Sequence, residues 1–186
     1  MKTIKVKDLM VSLEEYATVS ENATLFEAVV ALEEAQNKLD RTRYKYIHRA
    51  ILVYDKNNKI VGKVSQHDVL SALEPKYGDL GDPGKLSRAG FSPQFLKSML
   101  EHQPLWESPL KDKCIKAAKI KVKKFMYTLT EGEYIKDSAT LEHAIHQLIM
   151  GHHHSLLVTR GKNIVGILRL TDVFAEAFRI MKTCVT

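Results

Sequence analysis

The stretch VGKVSQHDVL (Val61–Leu70) closes a run rich in β-branched residues and opens a helix. VGILRLTDVF (Val165–Phe174) makes the same passage about a hundred residues later. In each, an Asp follows a Gly by six residues: Asp68 after Gly62, and Asp172 after Gly166. A strand-to-helix turn made twice in 186 residues points to an internal duplication, the first thing to establish in any chain.

The alignment extends far beyond the turn. KVKDLM (Lys5–Met10) falls on KVKKFM (Lys121–Met126) at a shift of 116 residues. At the same shift Val19–Leu25 falls on Ile135–Leu141, Ala28 on Ala144 and Leu32 on Leu148. The shift then drops to 105, setting HRAILV (His48–Val53) on HHSLLV (His153–Val158), and to 104 at Gly62 and Gly166. Copy one therefore carries about eleven extra residues near Asn37–Ile47.

Each copy has the same local grammar. Thr24 and Glu27 form a capping box, each side chain satisfying a free amide at a helix start. Leu25, Ala28, Val29 and Leu32 follow at helical spacing, as do Leu141, Ala144, Ile145 and Leu148 after Thr140. Two strands joined by a tight turn come next, AILVYD and IVGKVS in copy one, SLLVT and IVGILR in copy two. A closing amphipathic helix follows, over Asp68–Leu73 and over Asp172–Met181. One copy alone is too small to bury a good core, so the two are expected to pack sheet to sheet.

Between them lies a Gly- and Pro-punctuated insert, Pro75–Leu110, which holds the chain's only Trp, Trp106. Ser92-Pro93 reads as the N-cap and first position of a short helix. Phe91 is expected to staple onto Leu96, with Phe95, Met99 and Leu100 on one face. The division expected is repeat one over 1–74, an insert over 75–120 with the short helix and a Lys-rich segment, and repeat two over 121–182.

A content of 45% hydrophobic and 27% charged residues is that of an ordinary globular protein, and the longest apolar runs are far too short for a membrane span. MKTIKVKDLM has no apolar signal-peptide core, and Cys114 and Cys184 have neither metal nor redox spacing, so a cytoplasmic protein is expected. The net charge of +6 sits entirely in Lys111–Lys124, which holds seven Lys and one Asp. Such a segment is either a solvated linker or a patch for phosphates, nucleic acid or an acidic partner.

The ordered set of motifs, occurring twice, resembles a tandem pair of CBS domains (cystathionine β-synthase domains), a Bateman module. The resemblance spans all but the central insert. It implies an α+β sandwich of two β-α-β-β-α repeats, packed as a pseudo-two-fold pair with clefts between them. It also implies that an adenosine-containing ligand (AMP, ADP, ATP or S-adenosylmethionine) binds there to regulate a partner, as in energy sensing. The family motif is Gly, two apolar residues, Ser or Thr, two variable residues and Asp. By resemblance the Asp takes the ribose hydroxyls and the Ser or Thr approaches the phosphates.

Gly62, Ser65 and Asp68 match that motif, although Ser-x-x-Asp is also a helix capping box. Asp172 remains in copy two, where a cap would need no Asp once its hydroxyl partner is gone, and that favours the functional reading of the turn over a plain cap. Arg169 stands where Ser or Thr belongs. It either replaces the phosphate contact with a charge-assisted one, the favoured reading, or fills the cleft. The resemblance adds Val19, Ser20, Arg49 and Ala50 in copy one, and Ile135, Lys136, His154, Ser155 and Thr171 in copy two. Val19, Ala50 and Ile135 also read as plain core.

GHHHS (Gly151–Ser155), with His143 and His146, invites a metal reading. No Cys or carboxylate completes a ligand shell, so no metal is expected, and no cofactor beyond the regulatory nucleotide. His153 and His154 more naturally border the nucleotide cleft. No nucleophile–base pair, P-loop or dinucleotide fingerprint appears, so catalytic residues are not expected. The alternatives are a nucleic-acid-binding protein using Lys111–Lys124 and, further off, a small enzyme using the His cluster. A homodimer is expected through helical faces carrying Val29, Leu32, Ile145 and Leu148, with the insert as the responsive element.

Overall fold

The computed structural model describes residues 3–73 and 109–185, with Ser92, Gln94, Lys97, Ser98 and Glu101 between them. The Phe91–Leu96 staple, the face at Phe95, Met99 and Leu100, and Trp106 lie outside the described residues.

Copy one opens with α1 (Val6–Leu9) and β1 (Val11–Ser12), followed by β2 (Thr18–Ser20), α2 (Leu25–Lys38), β3 (Ala50–Tyr54), β4 (Ile60–Ser65) and α3 (Gln66–Ala72). Helix α4 (Leu110–Ala117) leads into β5 (Tyr127–Thr128), β6 (Tyr134–Lys136), α5 (Leu141–Met150), β7 (Ser155–Arg160), β8 (Asn163–Arg169) and α6 (Leu170–Val185). The capping box at α2 forms as expected: Glu27 Oε2 accepts from the Thr24 amide at 2.6 Å, and Thr24 Oγ1 from the Glu27 amide at 3.2 Å. In the hairpin turns, Asn58 and Gly161 take the left-handed conformation that reverses each chain, with φ of 57° and 62°.

The strands form two four-stranded sheets, ordered β2-β3-β4-β5 and β1-β8-β7-β6. Each repeat thus lends its first short strand to the other. β1 pairs antiparallel with β8, and β5 with β4. The segments before these strands cross in the same way. The Val6 amide donates to Ala139 O at 2.9 Å and the Val122 amide to Ala23 O at 2.8 Å, and Leu141 to Ile4 and Leu25 to Ile120 repeat the symmetry. Val6 consequently lies in the core of copy two with Leu141, Leu156 and Leu168, and Val122 in that of copy one with Ala28, Ile51 and Val64. Each repeat keeps its β-α-β-β-α unit, β2-α2-β3-β4-α3 and β6-α5-β7-β8-α6, and the two exchange the N-terminal arms that precede these units.

A third core lies between the sheets. Val11, Tyr16, Leu39, Tyr44 and Leu52 of copy one meet Leu157 and Ile167 of copy two there. The sheet-to-sheet packing expected from the size of one repeat is therefore present, and the extra residues of copy one contribute Leu39 and Tyr44 to it.

Two sequence expectations change. Leu32 and Leu148 are core residues; the exposed apolar face comprises Phe26, Val29, Ile145, Ile149 and Met150, with Phe174, Phe178 and Met181 on α6. The Lys-rich segment is not a linker. It forms α4, and its Val122 is fully buried while Lys123 Nζ donates to Asn22 Oδ1 at 3.2 Å.

Candidate functional site

Both duplicated turns sit where the last strand of a repeat enters its helix. In copy one Ala50 pairs with Ser65 across β3 and β4, and the Gln66 amide donates to Arg49 O at 3.1 Å. In copy two Ser155 pairs with Arg169, and the Leu170 amide donates to His154 O at 3.0 Å. Arg49, Ala50, Ser65 and Asp68 are thus gathered at one turn, and His154, Ser155, Arg169, Thr171 and Asp172 at the other.

Val19, Ser20, Ile135 and Lys136 are not. Val19 and Ser20 pair with Val53 and Tyr54, three and four residues beyond Ala50, and Ile135 and Lys136 stand in the same relation to Ser155. At about 3.3 Å per residue that is roughly 10–13 Å away, at the far end of each sheet. Val19 and Ile135 are core residues. The segment before β2, not its end, lies at the turns: Tyr16 packs edge-on against the His48 ring, with centroids 4.5 Å apart.

At the copy-one turn Ser65 and Asp68 make a complete capping box. The Ser65 amide and hydroxyl both donate to Asp68 Oδ2 at 2.7 Å, and the Asp68 amide donates to Ser65 Oγ at 3.2 Å. All the carboxylate's bonds fall on one oxygen, and Asp68 Oδ1 has no partner among the described residues. The exposed Arg49 guanidinium likewise has no ion-pair partner among them.

The copy-two turn is built differently. Arg169 is only 5% exposed, and its guanidinium grips Asp172 with two bonds, Nε to Oδ2 at 2.5 Å and Nη2 to Oδ1 at 2.7 Å. Nη1 reaches into copy one, donating to Tyr46 O at 2.9 Å and lying 3.1 Å from His48 Nδ1. The Tyr44 ring lies 5.4 Å from the guanidinium carbon, a cation–π distance. His48 is fully buried, with Nε2 3.0 Å from Glu15 O. Burial, then the Arg169 charge, lowers its pKa to about 4, so the ring is neutral and Nδ1 accepts from Arg169. Burial and the Glu15 carboxylate push Tyr44 up to about 12, and its hydroxyl donates to Glu15 Oε2 at 3.0 Å.

Two readings of the sequence are corrected here. Arg169 has no open fork to offer a phosphate. Asp172 is retained as the counter-ion of Arg169, so its presence without a hydroxyl partner is no sign of a ribose contact.

The alignment of the copies relates Tyr16 to Gly132 and His48 to His153, and a side chain begun at Gly132 would meet His153 Nε2 at 3.5 Å, as Tyr16 meets His48. Beside them Lys63 makes an ion pair with Glu133, which is 1% exposed. Burial raises the Glu133 carboxyl, but hydrogen bonds from Lys63 and the Thr130 amide outweigh it and hold it below its usual range. Lys63 occupies a motif position where the family has an apolar residue, a visible signal in the sequence. Tyr16, Tyr44 and His48 carried none, because their role depends on a contact across the repeats. A separate cavity of about 360 Å³ between β2 and α2 is lined by Glu14, Glu15, Glu34 and Asp40, with Lys38 as its one cation, and suits no phosphate. Among the described residues no three His, Cys, Asp or Glu side chains group as metal ligands, and no helix is long and apolar enough to cross a membrane.

This architecture of paired repeats meeting sheet to sheet, with a Gly-to-Asp turn in each, has a known counterpart. The CBS domain family matches residues 6–75 and 127–182, and the chain belongs to that family, whose members are typically regulatory. No curated protein sequence matches. Among solved structures it is similar to CBSX2 in complex with AMP, at 21% identity and a TM-score of 0.58 over 95% of this chain and 98% of that one. A CBS domain-containing protein of unknown function from Bacillus anthracis str. Ames Ancestor has 18% identity and a TM-score of 0.60 over 95% and 94% of the two chains. The CBS domain of a CBS domain containing membrane protein from Sphaerobacter thermophilus has 18% identity and a TM-score of 0.59 over 93% and 87%.

Proposed function

We propose that the protein is a regulatory module, not an enzyme, that binds an adenosine-containing nucleotide between its repeats and passes the signal to a partner protein. The observation that carries this is the Ser65–Asp68 turn. Asp68 keeps one oxygen without a partner among the described residues at a helix start, where a carboxylate can accept from vicinal ribose hydroxyls. The exposed Arg49 guanidinium, with no ion-pair partner among the described residues, supplies donors and positive charge that a phosphate needs. The AMP complex of CBSX2 supports the ligand class.

The exposed apolar residues of α2, α5 and α6 fit a homodimer. Phe174 and Phe178 stack at 6.2 Å on one such face. Light scattering at micromolar concentration is expected to give twice the chain mass.

The test is calorimetric titration of the full chain with AMP, ADP, ATP, NAD and S-adenosylmethionine. Micromolar binding of at least one adenosine ligand is expected, and silence across the set overturns the reading. The Lys-rich α4 region favours nucleic acid as a second reading, which predicts binding that weakens steeply with salt.

A further inference from the structure

Resting on that nucleotide reading, we propose that the chain binds one nucleotide and not two, because copy two's cleft is permanently occupied by its own Arg169. Four differences between the related turns all act in the same direction. Arg169 stands in place of Ser65, and its side chain fills the space where the smaller residue leaves room. Tyr16 stands in place of Gly132, adding a ring where the other cleft has no side chain. The eleven-residue extension has no counterpart in copy two and brings Tyr44 and Tyr46 over the guanidinium. His48 is fully buried against Arg169, whereas its mate His153 is partly exposed and folds back onto its own Gly151.

The chemistry of the closed turn is complete without a ligand. Both oxygens of Asp172 are taken by Arg169, and the guanidinium's remaining bonds go to Tyr46 O and His48 Nδ1. A ribose entering here would have to displace a bidentate charged pair, and with four of its five N–H donors engaged Arg169 has no paired donors left for a phosphate. The roof is itself anchored. Tyr44 is tied to Glu15, which also accepts from Ser12 Oγ at 3.0 Å, while Leu39 and Tyr44 are packed in the inter-sheet core. Arg169 is thus a built-in occupant that locks the repeats together on one side, leaving the Ser65–Asp68 side to respond.

Three measurements on the full chain decide this. Titration with ATP and AMP is expected to give one site per chain. Asp68→Asn is expected to weaken that site roughly ten- to a hundred-fold, the scale of a charged hydrogen bond lost, while Arg169→Lys leaves the affinity within about twofold. The Arg169 Nε–H resonance is expected to stay slowly exchanging and unshifted at saturating ATP. Tyr16→Gly with Arg169→Ser, which gives copy two the residues of copy one, is expected to raise the stoichiometry toward two if it folds; if it does not, the first three measurements suffice. Two sites in the unaltered chain, binding lost in Arg169→Lys but kept in Asp68→Asn, or an Arg169 signal that moves with ATP overturns the proposal alone. A chain that binds no adenosine nucleotide overturns the nucleotide reading and this proposal with it.

Discussion

The Ser65–Asp68 and Arg169–Asp172 turns descend from one pattern and lie at related positions, yet the same acid does different work in each. Asp68 caps a helix with one oxygen and keeps the other. Asp172 spends both on a buried cation. The difference lies in residue 65 or 169 and in what the opposite repeat presents: a glycine and a short loop in one case, a tyrosine and an extended segment in the other. Identity of a motif residue therefore does not carry its role from one copy to the next; the facing surface decides.

The largest expected effect breaks the closed turn. Arg169→Ala leaves the largely enclosed Asp172 carboxylate without its cation, and should cost about 3–5 kcal/mol of stability. Denaturant unfolding monitored by circular dichroism measures it, and a loss below about 1 kcal/mol, the worth of a surface pair, would show the contact to be peripheral.

A symmetric pair provides the control. Val6 and Val122 occupy related places in the two exchanged arms, so Val6→Ala and Val122→Ala should cost similar amounts, about 2 kcal/mol each. Each should shift one cooperative transition rather than unfold one repeat, because each valine sits in the other copy's core. Two separated transitions in either variant would show the repeats to be independent.

Acid should also weaken the closed side. His48 is held near pKa 4 in the fold, below the ordinary 6.5, so between these values the unfolded chain binds a proton that the folded chain refuses. Its contribution is fully present above about pH 6.5 and is lost as pH falls toward 4. Melting temperature measured from pH 7 to 5 should fall, and His48→Phe should flatten that dependence. An unchanged slope would assign it to other groups.

The smallest effect belongs to the open turn. Ser65→Ala removes a cap and should cost about 1 kcal/mol, well short of the Arg169 loss. Equal costs at both positions would abolish the contrast between the turns.

Much of this was legible in the sequence. The duplication, hairpins and capping boxes are local, and residues such as Thr24, Glu27 and the Val-Ile-Leu runs declare them. The arm exchange was not, because Val11–Ser12 and Tyr127–Thr128 are two-residue strands with no periodicity of their own, and the choice of sheet is a tertiary matter. The turn residues Ser65, Asp68, Arg49 and Ala50 were found together, but Val19 and Ser20 were assigned to the wrong end of their strand. The fate of Arg169 was open for a clear reason. Its partners Tyr46 and His48 lie 123 and 121 residues away, the first inside the stretch where the two copies fail to align and the second at its edge.

The exchanged arms also bear on how the protein is made. During synthesis the first ten residues leave the ribosome long before β8, the strand that β1 must join, and the first sheet lacks β5 until residue 128 appears. Neither repeat can finish folding as a unit when its own residues are complete, although domain-by-domain folding is the usual course for a growing chain. The arm that carries Val6 and Val11 must wait, with both valines exposed, until β8 has emerged. Two nascent copies on neighbouring ribosomes offer each other the same docking places, so intermolecular arm exchange is the misassembly to which this topology is most open.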